Sequence, residues 1–214
     1  MTDLDFSIDG VRVEPHAAAP TLVFSLRITE SSGVPVHSGL LRVLLQIDPR
    51  GRRYTPVEAE RLVELFDRPE RWLDTVRPIF WTQVAVVVPP FEREGLVDVP
   101  VSCTYDVEVA SAKYFNALDS GEIPVTVMFS GTLFVAAEDR VHAVPVAWDK
   151  EARFRMPASG WRELMTAYFG DSAWLRLRRD SFEALCRYRA RHALPSWESV
   201  IETLCAGDVD REAV

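Results

Sequence analysis

The sequence predicts an α+β protein: an antiparallel β-sandwich with an inserted helical segment and a C-terminal three-helix region. Three observations carry that prediction. Apolar residues alternate with period two through most of residues 1–156. A helical period replaces this alternation over 55–76, briefly over 110–118, and again from Pro157 onward. Strands and helices do not alternate regularly, which argues against a parallel doubly wound sheet and for helices segregated at one end of a sandwich.

The elements follow in order. "FSIDGVRVE" places Phe6 and Ile8, then Val11 and Val13, on one face, with Gly10 interrupting the phase as a bulge would. "TLVFSLRIT" turns Leu22, Phe24, Leu26 and Ile28 to one side, and "PVHSGLLRVLLQIDP" does the same with Leu41, Val43, Leu45 and Ile47, leaving a mostly wet second face. In "TPVEAERLVELF", Thr55 suits the N-cap, Pro56 the first helical position and Glu58 the capping box, with Ala59, Leu62, Val63 and Phe66 facing the core. "RPERWLDTV" adds a further helical turn. "IFWTQVAVVVP" is a strand whose run Val84 to Val88 predicts burial on both faces. "LVDVPVSCTYDVEV" (96–109) is a long strand with Pro100 marking a bend or an edge. A short helix spans 110–118, then "IPVTVMFSGTLFVA" is buried, and "VHAVPVAW" and "EARFRMP" are edge strands. Helices follow over 158–170, 180–194 and 196–207, capped by Asp180 and Ser196 and stopped at Gly170 and Gly207. The expected organisation is therefore a sandwich over 1–156 with the helical insertion at 55–76, helices over 157–207 packed on it, and a frayed tail at 208–214.

Composition narrows the function classes. The chain is 48% hydrophobic and 26% charged, which is ordinary for a globular protein. A net charge of −8 argues against nucleic acid as the partner, although "PRGRRY" and "WLRLRRD" interleave arginine with aromatic or leucine side chains as such a site would. The charge is uneven: Lys150 to Pro195 holds ten basic and five acidic residues. A basic C-terminal face suits an acidic protein surface or, equally, a solvated helix face. Neither a signal segment nor an apolar run long enough for a bilayer is visible, and Cys103, Cys186 and Cys205 form no disulfide pattern, so the expected location is cytoplasmic, with no membrane partner.

No cofactor or metal site is expected. His16, His37, His142 and His192 lie far apart, and neither HExxH nor CxxC occurs. No Gly-rich phosphate loop is present. Cys103, Asp106, Glu108 and His142 form the one catalytic or metal-handling alternative. Asp106 and Glu108, two apart on one strand, share a face, and His142 on another strand would serve as the base for Cys103. The competing reading makes Cys103 a small buried hydrophobe and the carboxylates ordinary outward residues. Interaction residues form the other set. Arg176, Arg178, Arg179 and Trp174 lie in a strap where arginine alternates with leucine, and Lys113 and Tyr114 are expected to be exposed where a strand pairing ends.

The stretches "RRYTPVEAERLVELF", "ERWLDTVRPIFWT", "VPVSCTYDVEVASAKYFNALDSGEIPVTVMFSGTLF", "PVAWDKEARFRMP", "WLRLRRDSFEALCRYRAR" and "LPSWESVIETL" resemble an uncharacterised bacterial family over nearly the whole chain. Its members are often encoded in actinobacterial clusters beside nickel–iron hydrogenase subunits and maturation factors. The resemblance implies an accessory role with a protein partner, such as a hydrogenase subunit or maturation factor, and supplies no catalytic residues. The function expected is thus a non-catalytic accessory or protein-interaction protein.

Overall fold

The computed structural model describes residues 3–104, 106, 109–137, 140–170, 172 and 175–212. The chain divides into two compact units, Met1–Ala173 and Trp174–Val214.

The first unit is an antiparallel sandwich. Strands β1 (Leu4–Val13), β2 (Thr21–Glu30) and β5 (Glu94–Ser102) form a three-stranded sheet in the order β1-β2-β5. Strands β3 (Val36–Ile47), β4 (Ile79–Val88), β6 (Glu122–Ala137) and β7 (Arg140–Pro145) form the second sheet in the order β4-β3-β6-β7. β8 (Glu151–Pro157) pairs with the other half of β6. The bulge expected at Gly10 is present as a register shift between Ile8 and Gly10.

The inward faces meet in one core. Phe6 stacks on Phe129 with ring centroids 4.5 Å apart, and Phe24 meets Trp81 and Phe154 edge-on at 5.8 and 6.0 Å. Leu41, Val43, Leu45 and Ile47 are all buried, as their alternation requires. Gly131 on β6 has φ +139°, and a Cβ there would lie 2.1 Å from the Leu40 carbonyl oxygen, so β6 approaches β3 in a way only glycine permits.

The capping box forms as its sequence demands. Thr55 Oγ1 accepts from Glu58 N at 3.2 Å, and Glu58 Oε2 accepts from Thr55 N at 3.0 Å. The helix is interrupted at buried Leu62, giving α1 (Pro56–Arg61) and α2 (Val63–Phe66), and Val63 faces solvent rather than the core. A 3-10 turn and α3 (Trp72–Thr75) complete the insertion. Later come α4 (Ala110–Asn116) and α5 (Ala158–Phe169), which ends at Gly170 with φ +60°.

Two expectations are corrected here. The strand expected over 96–109 ends at Ser102, the residue paired with Thr21 at the start of β2; one further bond, Cys103 N to the Pro20 carbonyl, follows it. The run Val84 to Val88 is not buried on both faces. Val86 and Val88 point inward, while Val87 is 71% exposed, because β4 is an edge strand whose outward side has no covering layer at that point.

The second unit is a helical pair, α6 (Arg179–Arg191) and α7 (Trp197–Glu212). Ser196 Oγ accepts from Ser199 N at 3.1 Å, which caps α7 as expected. Phe182 meets Trp197 at 5.5 Å, and the Arg189 guanidinium lies 5.0 Å from the same indole ring. α7 does not stop at Gly207. That glycine has no positive φ to turn the chain, and the helix runs to Glu212. No helix among the described residues is long and apolar enough to cross a membrane.

Candidate functional site

The outward face of the five-stranded sheet has two chemically different ends. Register defines the first. Val87 pairs with Leu40, Leu40 with Thr132, Phe134 with Ala143, and Ala136 with Val141. These positions share a face, and Val87, Leu40, Phe134 and Val141 are all exposed there. Beside this face, the connection between β7 and β8 carries Trp148, 94% exposed. Exposed apolar side chains sharing one sheet face are a surface of the kind on which partners dock.

The other end carries arginines, in register with the exposed Phe80 opposite Gln46. Arg153 sits opposite Thr126 and Arg155 opposite Pro124, both on the outward face. The loop after β3 folds over toward them. Asp48 N donates to the Pro124 carbonyl at 2.9 Å, and a Cβ on Gly51 would lie 2.8 Å from Pro124 Cγ, so the loop seats directly on β6. This brings Arg50, Arg52 and Arg53 to Arg155, around a cavity of about 490 Å³ whose walls also include Gly51, Gly121 and Glu122. An adjoining cavity of about 530 Å³ shares Gly51 and Arg155 and adds Asp48, Glu151 and Arg153.

Arg52 is the fixed member of the cluster. Its side chain is 8% exposed and its partner Glu58 is 1% exposed. Arg52 Nη2 donates to Glu58 Oε1 at 2.9 Å and to the Ser120 carbonyl at 3.1 Å, and Nε donates to the Arg53 carbonyl at 3.1 Å. Nη1 has no hydrogen-bond partner among the described residues, although it is buried. Leaving such a donor unsatisfied costs about 1–3 kcal/mol. Burial pushes the Glu58 carboxyl up, but the backbone N–H groups of Thr55 and Asp119, together with the Arg52 guanidinium, hold it below its ordinary value. Glu58 therefore stays ionised and keeps Arg52 in place.

A tyrosine pair anchors the same loop. Tyr54 donates its hydroxyl proton to the Pro49 carbonyl at 2.6 Å, so the 2.8 Å bond to Tyr114 must be donated by Tyr114. Burial raises both phenols, Tyr114 to about 12. They serve as hydrogen-bonding posts, not as titrating groups. The Arg52 guanidinium also lies 5.0 Å from the Tyr54 ring centroid.

The residues singled out from sequence are placed differently. Tyr114, expected at an exposed edge, is fully buried, because α4 turns it under the insertion against Tyr54 and Phe66. Lys113 forms an ion pair with Glu64. Cys103 is buried at the end of the three-stranded sheet, where Cys103 N donates to the Pro20 carbonyl at 2.7 Å. Burial pushes its thiol up to about 12, the opposite of what a thiolate nucleophile needs. His142 is exposed on β7, an edge strand of the other sheet, opposite Val135. Asp106 lies beyond the end of β5, and its backbone N–H is tied to Thr104 Oγ1 at 3.0 Å. Glu108 and Trp174 lie outside the described residues. Among the described residues no group of three or more His, Cys, Asp or Glu side chains could hold a metal ion. Arg176, Arg178 and Arg179 are exposed, as are Leu175 and Leu177 beside them, and Arg179 Nε donates to Glu183 at 3.1 Å. The sequence signal for the arginine cavity was "PRGRRY", which composition alone assigns to nucleic acid; its meeting with "EARFRMP" is set by the pairing of β8 with β6.

With this geometry in hand, comparison with known proteins settles one point. The model of the family of unknown function DUF6084 matches residues 1–213. The chain belongs to that family. No curated protein matches the sequence. Among solved structures, the DUF6084 chain is similar to the CARDB domain of a Pyrococcus furiosus protein in complex with di-metal ions, at 12% identity and TM-score 0.28, covering 72% of this chain and 91% of that one. It is also similar to β-glucosidase from Kluyveromyces marxianus (12% identity, TM-score 0.26) and to β-glucosidase 3B from Thermotoga neapolitana (17% identity, TM-score 0.25). In both cases 72% of this chain is covered but only 15% and 17% of the glucosidase. Likeness at this level says nothing about activity.

Proposed function

We propose that the protein is a non-catalytic accessory protein that docks another protein on the outward face of its five-stranded sheet. The observation that carries this reading is the uncovered apolar end of that face, where Leu40, Val87, Phe134 and Val141 are exposed beside Trp148. Large apolar and aromatic side chains in one exposed patch are the usual anchors of a protein interface. The strap at Leu175–Arg179, with its exposed arginines and leucines, supplies a second contact of the kind that pairs with carboxylates. The partner class we infer is a nickel–iron hydrogenase subunit or maturation factor, met in the cytoplasm. That part is supported by the family resemblance of the sequence and by no residue of the site.

The test is purification of the tagged protein from its native host at low salt, with mass spectrometry of what accompanies it. A stoichiometric hydrogenase subunit or maturation factor is expected. The pair L40D/V87D should release it while leaving the circular dichroism spectrum unchanged, and R176E/R178E/R179E should weaken it. A wild-type protein that purifies alone, or an L40D/V87D variant that keeps its partner, overturns the reading.

A further inference from the structure

We propose that the cavity between the 50–53 loop and β8 is a binding site for a multiply charged oxyanion, with the phosphate group of a small metabolite as the ligand it fits. The site goes beyond the docking surface and does not depend on it. None of its residues lies at the apolar end of the sheet.

Four arginines from two distant segments surround the cavity, and Glu122 is the one carboxylate among its lining residues. That balance is the reverse of the chain's, which carries −8 overall. Glu122 does not neutralise the group, since its carboxylate stands 3.9 Å from Arg155 and both side chains are largely exposed. Arg50 spends one nitrogen on the Leu73 carbonyl at 3.0 Å, and Arg53 has no carboxylate partner among the described residues. Glu58 balances Arg52, which leaves Arg50, Arg53 and Arg155 as the cations that a bound anion would neutralise.

Exposed arginines alone would be an ordinary solvated surface. The second observation is Arg52, which lines the cavity from the interior. Its side chain is more than nine-tenths buried, it is clamped by Glu58 and the Ser120 carbonyl, and Nη1 is left without a partner. A guanidinium held this rigidly puts a fixed positive charge in the cavity wall, toward which phosphate or carboxylate oxygens are drawn. Gly51 and Gly121 contribute walls without side chains, and Gly121 has φ +80°. The site is a shallow concavity of about 490 Å³, widely open to solvent, so it has room for a phosphate group while the rest of the ligand lies outside. The adjoining cavity, with Asp48, Glu151 and Arg153, offers donors and acceptors to its uncharged part.

Isothermal titration calorimetry of the full chain at physiological ionic strength tests the site, with inorganic phosphate, pyrophosphate and citrate as probes. Binding of pyrophosphate more tightly than phosphate is expected. The variant R53A/R155A changes two exposed residues and should fold as wild type, and it should bind roughly tenfold more weakly or worse. R52K keeps the charge but loses the second nitrogen and should weaken binding as well; its melting temperature separates loss of the site from loss of the fold. Tighter binding of citrate than of pyrophosphate keeps the oxyanion site and assigns it to polycarboxylates. Absence of heat with all three probes, or equal affinity in R53A/R155A and wild type, overturns the proposal.

Discussion

The two sheets of the sandwich turn very different surfaces to solvent. On the three-stranded sheet the outward charges are paired with one another: Arg12 donates to both oxygens of Asp98 at 3.0 and 2.7 Å, and Arg27 reaches Asp9 at 2.7 Å and Glu94 at 2.6 Å. On the five-stranded sheet the outward face carries exposed apolar side chains at one end and an arginine-lined cavity at the other. Both sheets build their inward faces by the same alternation, so the core does not explain the contrast. The contrast is one of degree: Leu96 is also exposed on the three-stranded sheet and Arg153 pairs with Glu151 at 3.2 Å on the five-stranded one, but several exposed apolar side chains share a face on the latter. The comparison favours the five-stranded side as the place where the proposed partner docks.

Adjacent residues on β3 test this most strongly. Leu41 is fully buried and Leu40 is 53% exposed, one step along the same strand. Leu41→Ala should cost about 2–5 kcal/mol in denaturant unfolding. Leu40→Ala should change stability by no more than about 0.5 kcal/mol. If Leu40→Ala is as damaging as Leu41→Ala, the outward face is a structural surface and the contrast between the sheets collapses.

The arginine end offers the next test, comparable in size to the first at its upper limit. Glu58→Gln keeps the shape of the side chain but removes the charge facing Arg52. Breaking one side of a buried pair strands the other charge, at about 3 kcal/mol or more. The acid limb of stability should change too. The Glu58 carboxyl is held below its ordinary value in the fold, so its contribution is fully present above that ordinary value and is lost as pH falls through the lower, folded one. Glu30 has the same direction: burial raises it, while the Ser32 hydroxyl and the backbone N–H groups of Ser32, Gly33 and Val34 outweigh burial and lower it. Glu58→Gln should flatten the loss of stability below about pH 4, leaving the Glu30 share in place. An unchanged acid limb would mean that Glu58 does not hold Arg52 as a charge.

Local chemistry made the fold readable and non-local chemistry hid the site. The capping box at Thr55 and Glu58, the bulge at Gly10 and the stop at Gly170 depend on residues a few positions apart, and all three occur. The run Val84 to Val88 misled because an apolar strand has the same sequence whether or not a second layer covers its outer face; here that side is open, and Val87 is its exposed residue. Tyr114 misled in the opposite sense. A tyrosine beside a lysine at the start of a short helix looks exposed, and its burial follows from Tyr54, which lies sixty residues earlier in the chain. The arginine cavity joins residues 50–53 to residue 155, a meeting fixed by β8 pairing with β6 and by the close seat of Gly51 on Pro124. Nothing in either segment alone signals the other.

The smallest expected effect concerns the paired face. The hydrogen bond from Arg12 holds the Asp98 carboxyl below its ordinary value of 3.8, with burial opposing and the charge of Arg12 assisting. Both side chains are largely exposed, so little of this reaches global stability, and the place to look is the carboxyl itself. In an NMR titration the Asp98 carboxyl should ionise at lower pH than a free aspartate, and Arg12→Ala should return it toward the ordinary value with no measurable change in melting temperature. Raising the ionic strength should shrink the depression in the wild type, because exposed pairs are screened. Any stability it supplies is present above the ordinary value and fades as pH falls through the lower one. An Asp98 that titrates like a free aspartate in the wild type would show that the three-stranded face is not internally paired. The two sheets would then differ in their apolar and arginine content alone, and self-pairing would no longer set the three-stranded face apart from the proposed docking face.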